Sequence, residues 1–271
     1  MEFRTIVDAG RAPFQVQPCE EVLLVGSCFA GGVGQRFLEA GFPATVNPYG
    51  TMYNPVSVLH TVERWLAEHA DSCPRTVFLT LGTNRVYVEK ATGQVVDNCQ
   101  KRPAALFQER QLSVAECADS LRRAVALLRD RSPEVNVVLT VSPIRYRKYG
   151  YHGSQLSKAT LLLAAEQVAG AGEHVSYFPA YEIVMDELRD YRFYAPDMLH
   201  PSEQAVDYIW ERLVDWCFSA EAKAFLDEWR PLRQVLTHKP FDPDAPAYKA
   251  LMDKTMLKVA EIRKKYPTFA L

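Results

Sequence analysis

The sequence lacks the features that mark several classes of protein. Its six cysteines form no C-x-x-C pair and no cysteine–histidine spacing suited to zinc, so we expect no metal site. No apolar run approaches the ~20 residues that span a bilayer, and the opening "MEFRTIVDAG" is too poor in apolar residues for a signal peptide. A formal net charge of −2 gives no reason to expect nucleic acid or anionic lipid as a partner. We therefore expect a soluble, cytoplasmic protein with free thiols.

What the sequence does contain is a regular alternation of apolar and amphipathic segments. The chain has 271 residues, of which 48% are hydrophobic, and this length suits one large domain. Four short apolar runs predict buried strands over 21–26, 76–82, 135–143 and 174–179. Stretches of helical period predict helices over 32–41, 54–70, 113–131, 156–170 and 203–218. Because buried strands joined by crossover helices form parallel sheets covered on both faces, we predict an α/β fold.

Two further segments complete the predicted organisation. Residues 85–96 predict a hairpin that turns at Thr92-Gly93. From Ser219 onward the sequence becomes helical and charged, with a proline-rich break and a final amphipathic helix over about 248–265. We divide the chain into an α/β domain, 1–218, and a helical extension, 219–271, that packs on the same domain or on the partner in a homodimer.

Parallel sheets bind ligands at the carboxyl ends of their strands, so the residues just past those ends are the candidates for function. One further candidate is "YAPDMLHPS", where Asp197 and His200 stand three residues apart before a helix that Ser202 can cap. If this stretch makes a helical turn, the carboxylate can hold the imidazole in the tautomer of a general base. Alone, D-x-x-H is weak, because a capping aspartate beside a surface histidine gives the same letters. It gains weight beside the strand–glycine–Ser27–Cys28–helix turn near the start of the chain.

This combination resembles the SGNH (GDSL-like) hydrolases, in which a nucleophile follows the first strand and D-x-x-H lies near the C-terminus. More narrowly, the chain resembles the GSCFA family, whose name is the sequence of residues 26–30. The segments that carry this narrower resemblance are "NPYGTMYNP" (47–55), "DNCQKRP" (97–103), "TVSPIRYRK" (140–148), "QLSKATLLLA" (155–164) and "YFPAYEIVMDELRDYRFYAPDMLHPS" (177–202). The resemblance implies a three-layer, flavodoxin-like parallel sheet with helices on both faces, and a cofactor-free ester hydrolase. It brings no assigned substrate.

The resemblance leaves open whether Cys28 or Ser27 attacks the substrate. In the superfamily the first strand runs into glycine–x–nucleophile, and laid without gaps over "VLLVGSC" this pattern puts Cys28 in the attacking position. The rival register places Val25 at the turn, where a β-branched residue is poorly suited to positive φ. A helix N-terminus and a nearby imidazolium both favour a thiolate. We prefer Cys28 and keep Ser27 as the alternative, since most members of the superfamily use serine. A purely structural motif with an inert thiol is the third interpretation.

The resemblance also suggests which groups stabilise the oxyanion. The N–H of the attacking residue is one donor, Gly50 is the second, and Asn84 is the third, because it stands in a G-x-N pattern after a strand. An ordinary turn asparagine is the alternative interpretation of Asn84. The predicted function is thus an SGNH-type acyl esterase with a Cys/Ser-His-Asp triad and a covalent acyl-enzyme. The alternatives are an O-acyltransferase acting on a glycan or lipid precursor and a non-catalytic binding module.

The chain departs from the expected family pattern at two positions. Gln100 and Tyr146 stand where relatives are expected to have histidine, so this chain is expected to prefer a different substrate if those histidines shape binding. We name Asn98, Arg145 and Tyr146 as candidate substrate-binding residues. Residues 145–153, "RYRKYGYHG", mix three cations with three tyrosines, and either bind an anionic or sugar-like group or form a solvated loop. His152, in the same stretch, is an alternative base.

Overall fold

In the computed structural model, which describes residues 4–70, 72–170 and 174–271, two sheets carry the strands. The strands within these residues are β1 (Val22–Gly26), β2 (Ala44–Val46), β3 (Thr76–Leu81), β4 (Arg85–Glu89), β5 (Val95–Val96), β6 (Phe107–Gln111), β7 (Asn136–Val141) and β8 (Val175–Tyr177). The five-stranded sheet has the order β2-β1-β3-β7-β8, and every neighbouring pair is parallel. This order is the flavodoxin-like arrangement, so the predicted fold class is confirmed.

The register of this sheet aligns the carboxyl ends of its central strands. Gly26, at the end of β1, pairs with Thr80 of β3, and Leu81 at the end of β3 pairs with Val141 at the end of β7. The four predicted strands are all present. The short edge strand β2 was not predicted, because its three residues are half-buried and form no apolar run. The segments that follow β1, β3 and β7 therefore lie together at the carboxyl edge of the sheet.

The helices cover both faces of the sheet. They are α1 (Cys28–Glu39), α2 (Pro55–Glu68), α3 (Val114–Arg131), α4 (Gly150–Ala169), α5 (Ala180–Glu182), α6 (Glu203–Cys217), α7 (Ala220–Thr237) and α8 (Pro246–Lys265). A π-helical turn, Ile183–Glu187, continues α5. Successive residues of β1 face opposite sides: Leu24 packs with α1, α6 and α7, whereas Leu23 packs with α2, α3 and α4. The result is three layers with an apolar core on each side of the sheet.

Two helices begin earlier than the sequence predicted. Helix α1 starts at Cys28 rather than at residue 32, because Ser27 caps it with an oxygen that accepts the Phe29 N–H, and the helix tolerates its glycines. Helix α4 starts at Gly150 rather than at residue 156. The second half of the tyrosine-rich stretch 145–153, considered above as a possible solvated loop, is therefore helical.

The first strand of the smaller sheet, β4, is separated from β3 by three residues of the chain. Strands β4 and β5 form the predicted hairpin, with Val88 opposite Val95 and the turn at Thr92-Gly93 between them. Strand β6 was not predicted, and it pairs antiparallel with β4 to give the order β5-β4-β6. Its exposed polar residues do not alternate clearly with apolar ones, so the sequence carries little strand signal there.

The C-terminal helices pack on the α1 side of the same chain. The Trp229 indole of α7 donates to the Glu39 carbonyl at 2.9 Å, and the Ala270 N–H donates to the Gly41 carbonyl at 3.0 Å. Phe269 lies edge-on against Trp229, with ring centroids 4.8 Å apart. The extension thereby closes over the end of α1. Across the described ranges, none of the helices combines the length and apolarity that crossing a membrane requires.

Candidate active site

The turn after β1 is built so that its first residue must be glycine. Gly26 has φ +148°, and a Cβ at this position would overlap the backbone of Thr80 on the neighbouring strand. The Gly26 N–H donates to the Asn47 side-chain oxygen at 2.8 Å, and the Ser27 N–H donates to the Thr80 carbonyl at 3.1 Å. The turn thus requires glycine, as the gapless register predicts for residue 26, and that register is the one in which Cys28 is the predicted nucleophile.

Ser27 and Cys28 differ in what their side chains can reach. Ser27 is fully buried, and its oxygen accepts the Phe29 N–H at 3.3 Å as the cap of α1. Cys28 is half-buried at the first position of α1, and its sulfur lies 3.6 Å from the Tyr53 hydroxyl. Burial together with the Cys28 contact raises the pKa of Tyr53 to about 12, so the Tyr53 hydroxyl keeps its proton at neutral pH and is able to donate to the sulfur. Of the two candidates, Cys28 is partly exposed whereas Ser27 is not.

Asp197 and His200 form a hydrogen-bonded pair. Asp197 Oδ2 lies 2.6 Å from His200 Nδ1, while Oδ1 accepts the backbone N–H of Leu199 at 2.8 Å and that of His200 at 3.0 Å. The backbone N–H of His200, its imidazole and the Leu199 N–H together hold the pKa of Asp197 well below its usual range. An ionised carboxylate can only accept, so Nδ1 carries a proton, and in the neutral imidazole Nε2 is the acceptor. This is the tautomer that a general base needs.

The structure does not form a hydrogen bond between His200 and either nucleophile candidate; in the described residues His200 bonds Asp197 through Nδ1. It does bring the two segments to the same edge. Helices α1 and α6 run side by side in the same direction, since Gly32 faces Val206 and, further along, Phe37 packs against Trp210 at 4.8 Å. The N-terminal ends of both helices therefore lie on the same side of the molecule. Cys28 is the first residue of α1, and the Asp197–His200 loop leads into α6.

A third segment ties this loop to the end of β7. The Arg145 N–H donates to the Leu199 carbonyl at 3.0 Å, and the Arg145 guanidinium donates to the Met198 carbonyl at 3.0 Å. The next residue, Tyr146, packs edge-on against Tyr53 with ring centroids 6.1 Å apart. The loop after β2, whose Tyr53 contacts the Cys28 sulfur, the loop after β7 and the loop before α6 are thus joined by direct contacts.

The predicted oxyanion donors already bond to the protein's own oxygens. The Gly50 N–H donates to the Asn47 carbonyl at 2.9 Å. The Asn84 side-chain N–H donates to the Leu112 carbonyl at 2.8 Å, and its backbone N–H donates to the Ser157 hydroxyl at 2.9 Å. These contacts give no support to the prediction that either residue faces an oxyanion. The Cys28 N–H, by contrast, stands in the first turn of α1, where helix geometry provides no acceptor.

The candidate substrate-binding residues fall in two places. Arg145 lies at a cleft of about 290 Å³, where its guanidinium stacks over Tyr151 at 4.5 Å and Tyr194 at 5.1 Å. The lining residues of this cleft do not include Cys28 or His200. The cleft instead opens beside the Asp197–His200 loop, through the contacts of Arg145 described above.

Asn98 lies away from these loops, on the connection between β5 and β6. Its side-chain oxygen accepts the Gln100 N–H at 2.7 Å in an exposed turn, and Gln100 itself has φ +50°. The side chain of Asn98 thus serves a local turn. His152, considered above as an alternative base, is exposed in the first turn of α4. Within the described residues, no group of three or more histidine, cysteine or acidic side chains is arranged to hold a metal ion.

Lys158, which the sequence analysis did not single out, joins two of the loops near the site by hydrogen bonds. It is fully buried, and its ammonium donates to the Gly82 carbonyl at 2.7 Å and the Ser142 carbonyl at 2.6 Å. Burial lowers the pKa of Lys158 to about 7. The residue fastens the loop after β3 to the loop after β7. A lysine at helical spacing from the buried Leu161 and Ala165 was the signal available in the sequence.

Comparison with known proteins gives the following matches. The sequence model described as the GSCFA family matches residues 21–74 and 70–213, and the model described as the GSCFA domain protein, C-terminal domain, matches residues 229–271. None of the curated proteins compared with the chain matches it.

Solved structures match the chain at low sequence identity. A member of the lipolytic protein G-D-S-L family from Veillonella parvula is 16% identical, with 72% of this chain and 96% of that chain covered and a TM-score of 0.47. A carbohydrate esterase family 3 protein from Talaromyces cellulolyticus is 14% identical, covering 72% and 94%, with a TM-score of 0.42. An acetyl xylan esterase from Butyrivibrio proteoclasticus is 10% identical, covering 74% and 64%, with a TM-score of 0.45.

Proposed function

We propose, from the premise that the chain belongs to the GSCFA family, that the protein hydrolyses ester bonds through a covalent acyl-enzyme formed on Cys28. One observation carries this proposal. A half-buried thiol at a tight strand–helix turn lies at the same carboxyl edge of the sheet as a histidine whose Nδ1 is hydrogen-bonded to a carboxylate. Nucleophile, base and orienting acid are the three parts that acyl transfer by this route needs.

The proposed reaction has two halves. His200 Nε2 takes the thiol proton, and the Cys28 sulfur attacks the ester carbonyl carbon, whose π electrons move onto oxygen. When that oxyanion collapses, the carbon–oxygen bond to the leaving alcohol breaks, and His200 returns the proton to the alcohol. Water then attacks the thioester with His200 again as base, which releases the carboxylic acid and restores the thiol.

The surrounding groups are assigned supporting roles. Asp197 keeps the imidazole oriented and stabilises the imidazolium that forms in each half. The Cys28 N–H is the backbone donor to the oxyanion, and Ser27 is the helix cap rather than the nucleophile. Proton transfer requires His200 Nε2 at hydrogen-bonding distance from the Cys28 sulfur, and we propose that the pair reaches this distance in solution before substrate binds.

The cleft beside Arg145 is where we place the rest of the substrate. Four tyrosines and two arginines are among its lining residues, a composition that suits a sugar ring or an anionic group. The substrate class proposed here is therefore a small ester with a glycan-like or acidic portion. All six cysteines are unpaired, which agrees with a reducing compartment, and we place the protein in the cytoplasm.

The test is intact-mass spectrometry after brief incubation with p-nitrophenyl acetate. We expect the wild type to gain one acetyl group, Cys28→Ala to gain none at the site, and Ser27→Ala to keep part of the labelling. Peptide mapping separates labelling of Cys28 from that of Cys73 and Cys99, which are also half-buried. A labelled Ser27 would reverse the assignment of the nucleophile, and a wild type without any adduct would favour a non-catalytic binding module. Transfer of the acetyl group to an added sugar rather than to water would identify an O-acyltransferase.

A further inference from the structure

The Tyr146 hydroxyl is a polar group to which the proposed reaction assigns no role. It is buried, and among the described residues no atom accepts or donates a hydrogen bond to it. A buried hydroxyl without a partner is uncommon in native proteins and calls for an explanation, such as a ligand that supplies the partner. Because a tyrosine hydroxyl is a good donor, the missing partner is an acceptor.

This hydroxyl lies beside Gly82, which follows β3, and near the turn that carries Ser27. It occupies the space beside Gly82 so closely that a Cβ on Gly82 would overlap it, and the same Cβ would lie 3.3 Å from the Ser27 Cβ. Tyr53, whose hydroxyl contacts the Cys28 sulfur, packs edge-on against the Tyr146 ring. The Tyr53 hydroxyl thus contacts the Cys28 sulfur, and the Tyr146 ring packed against Tyr53 carries a second hydroxyl that has no hydrogen-bond partner among the described residues.

The ring of Tyr146 is held rigidly in this position. Its backbone N–H donates to the Ser154 hydroxyl at 3.2 Å, and the ring of Tyr149 stacks against it at 6.2 Å. The Lys158 ammonium lies 5.0 Å from the ring centroid while it bonds to the Gly82 carbonyl. Burial, followed by the proximity of Cys28 and Tyr53, raises the pKa of Tyr146 well above the usual value, so the hydroxyl keeps its proton. A fixed, protonated donor is the kind of group that stabilises a developing charge.

We infer that the Tyr146 hydroxyl is a catalytic residue that donates a hydrogen bond to the substrate's carbonyl oxygen as it becomes an oxyanion. This inference rests on the proposed function. It puts Tyr146 in the role predicted for Asn84, whose side-chain N–H already donates to Leu112. As the bond between the Cys28 sulfur and the carbonyl carbon forms, the carbonyl π pair moves to oxygen and the Tyr146 O–H bonds to it. The tyrosine proton is not transferred, and the hydrogen bond weakens when the oxyanion collapses to the thioester.

The experiment measures single-turnover acylation of Cys28 by p-nitrophenyl acetate in the wild type, Tyr146→Phe and Tyr149→Phe. We expect Tyr146→Phe to acylate about 10²-fold more slowly, the usual loss when one oxyanion donor is removed. Tyr149→Phe removes the same atom from the adjacent stacked ring, which lies against Arg85 and Lys148, and is expected to stay within about twofold of the wild type. Far-ultraviolet circular dichroism and thermal unfolding show whether either variant is misfolded.

A second readout separates donation from mere positioning. The thiono analogue of the same ester develops charge on sulfur, which accepts hydrogen bonds weakly, so the rate ratio of wild type to Tyr146→Phe should fall several-fold with it. Equal acylation rates in wild type and Tyr146→Phe, or an unchanged ratio with the thiono ester, would overturn the inference and leave the proposed function standing. A wild type that never acquires an acyl group on Cys28 would overturn both.

Discussion

At the scale of single residues, the proposed acyl transfer depends on side chains and backbone near Cys28 that are fixed in one conformation. Gly26 cannot carry a side chain, Ser27 is used as a helix cap, and Asp197 accepts three hydrogen bonds. The pairing of Asp197 with His200 followed from their spacing in the sequence. The contributions of Tyr53 and Lys158 did not, because they arise from contacts between segments far apart in the chain.

Asp197→Asn should disable the proposed base without unfolding the protein. An asparagine cannot hold the imidazole in the required tautomer, so we expect acylation to slow by about 10²–10⁴-fold. Because hydrogen bonds keep the pKa of Asp197 low, the wild type loses no activity through protonation of this group above about pH 5. Single-turnover acylation measured between pH 5 and 9 checks both points. Asp253→Asn, on the exposed face of α8, is the control, and an equal loss in that variant would contradict the assignment.

Lys158→Met tests the buried ammonium through the pH dependence of stability. The pKa of Lys158 is lowered to about 7 in the folded protein, whereas a lysine in an unfolded chain titrates near ~10.4. Between these values the unfolded state binds more protons, so the stability of the wild type rises with pH relative to the variant. We expect the difference in the free energy of unfolding to grow by about 2 kcal/mol from pH 7 to pH 9. Urea unfolding at both values measures it, and parallel profiles would show that Lys158 keeps its proton.

At the scale of elements, the sequence predicted those whose residues carry their own signal. Strands β1, β3 and β7 are rich in apolar residues and buried at every position, and the hairpin has a glycine turn. Strand β2 and the first turn of α1 lacked such a signal. The glycines of α1 favoured a turn in the sequence, yet they lie within the helix. There Gly32 packs against Val206, and Gly34 leaves room for Val46. Tertiary packing, rather than local propensity, sets these boundaries.

Two glycines of α1 should respond to alanine with opposite signs. Gly31 has no neighbour within 4 Å of an added Cβ, so Gly31→Ala should stabilise the fold by about 0.5–1 kcal/mol through helix propensity. A Cβ on Gly34 would overlap the Val46 side chain, so Gly34→Ala should destabilise by about 1–3 kcal/mol. Urea unfolding of the two variants compares them directly. Effects of the same sign would show that α1 does not lie against β2 as described.

At the scale of the whole molecule, the C-terminal helices share a core with the sheet. Phe225, Trp229 and Phe269 belong to the same apolar cluster as Phe37 and Phe42. The extension therefore stabilises the side of the sheet that carries α1, whose N-terminal end holds Cys28. The domain boundary at residue 218 remains a prediction from the sequence.

Phe269→Ala should weaken the whole fold rather than one part of it. The ring is buried against Trp229 and Phe225, so its removal is expected to lower the free energy of unfolding by about 3–5 kcal/mol. We expect one cooperative transition in both wild type and variant, followed by circular dichroism and by tryptophan fluorescence. Leu257→Ala, on the exposed face of α8, is the control and should cost less than about 0.5 kcal/mol. A separate early transition in Phe269→Ala would mean that the extension folds independently.

The central claim is that His200 acts on the Cys28 sulfur, and the rate of Cys28 alkylation by iodoacetamide at pH 7 tests it most directly. Peptide mapping follows Cys28 and the half-buried Cys99 in the same sample, so Cys99 serves as the internal reference. The account predicts that Cys28 reacts at least about tenfold faster than Cys99 in the wild type, since an adjacent base promotes the thiolate, and that His200→Ala removes this advantage. An equal rate at Cys28 in the wild type and His200→Ala would contradict the account.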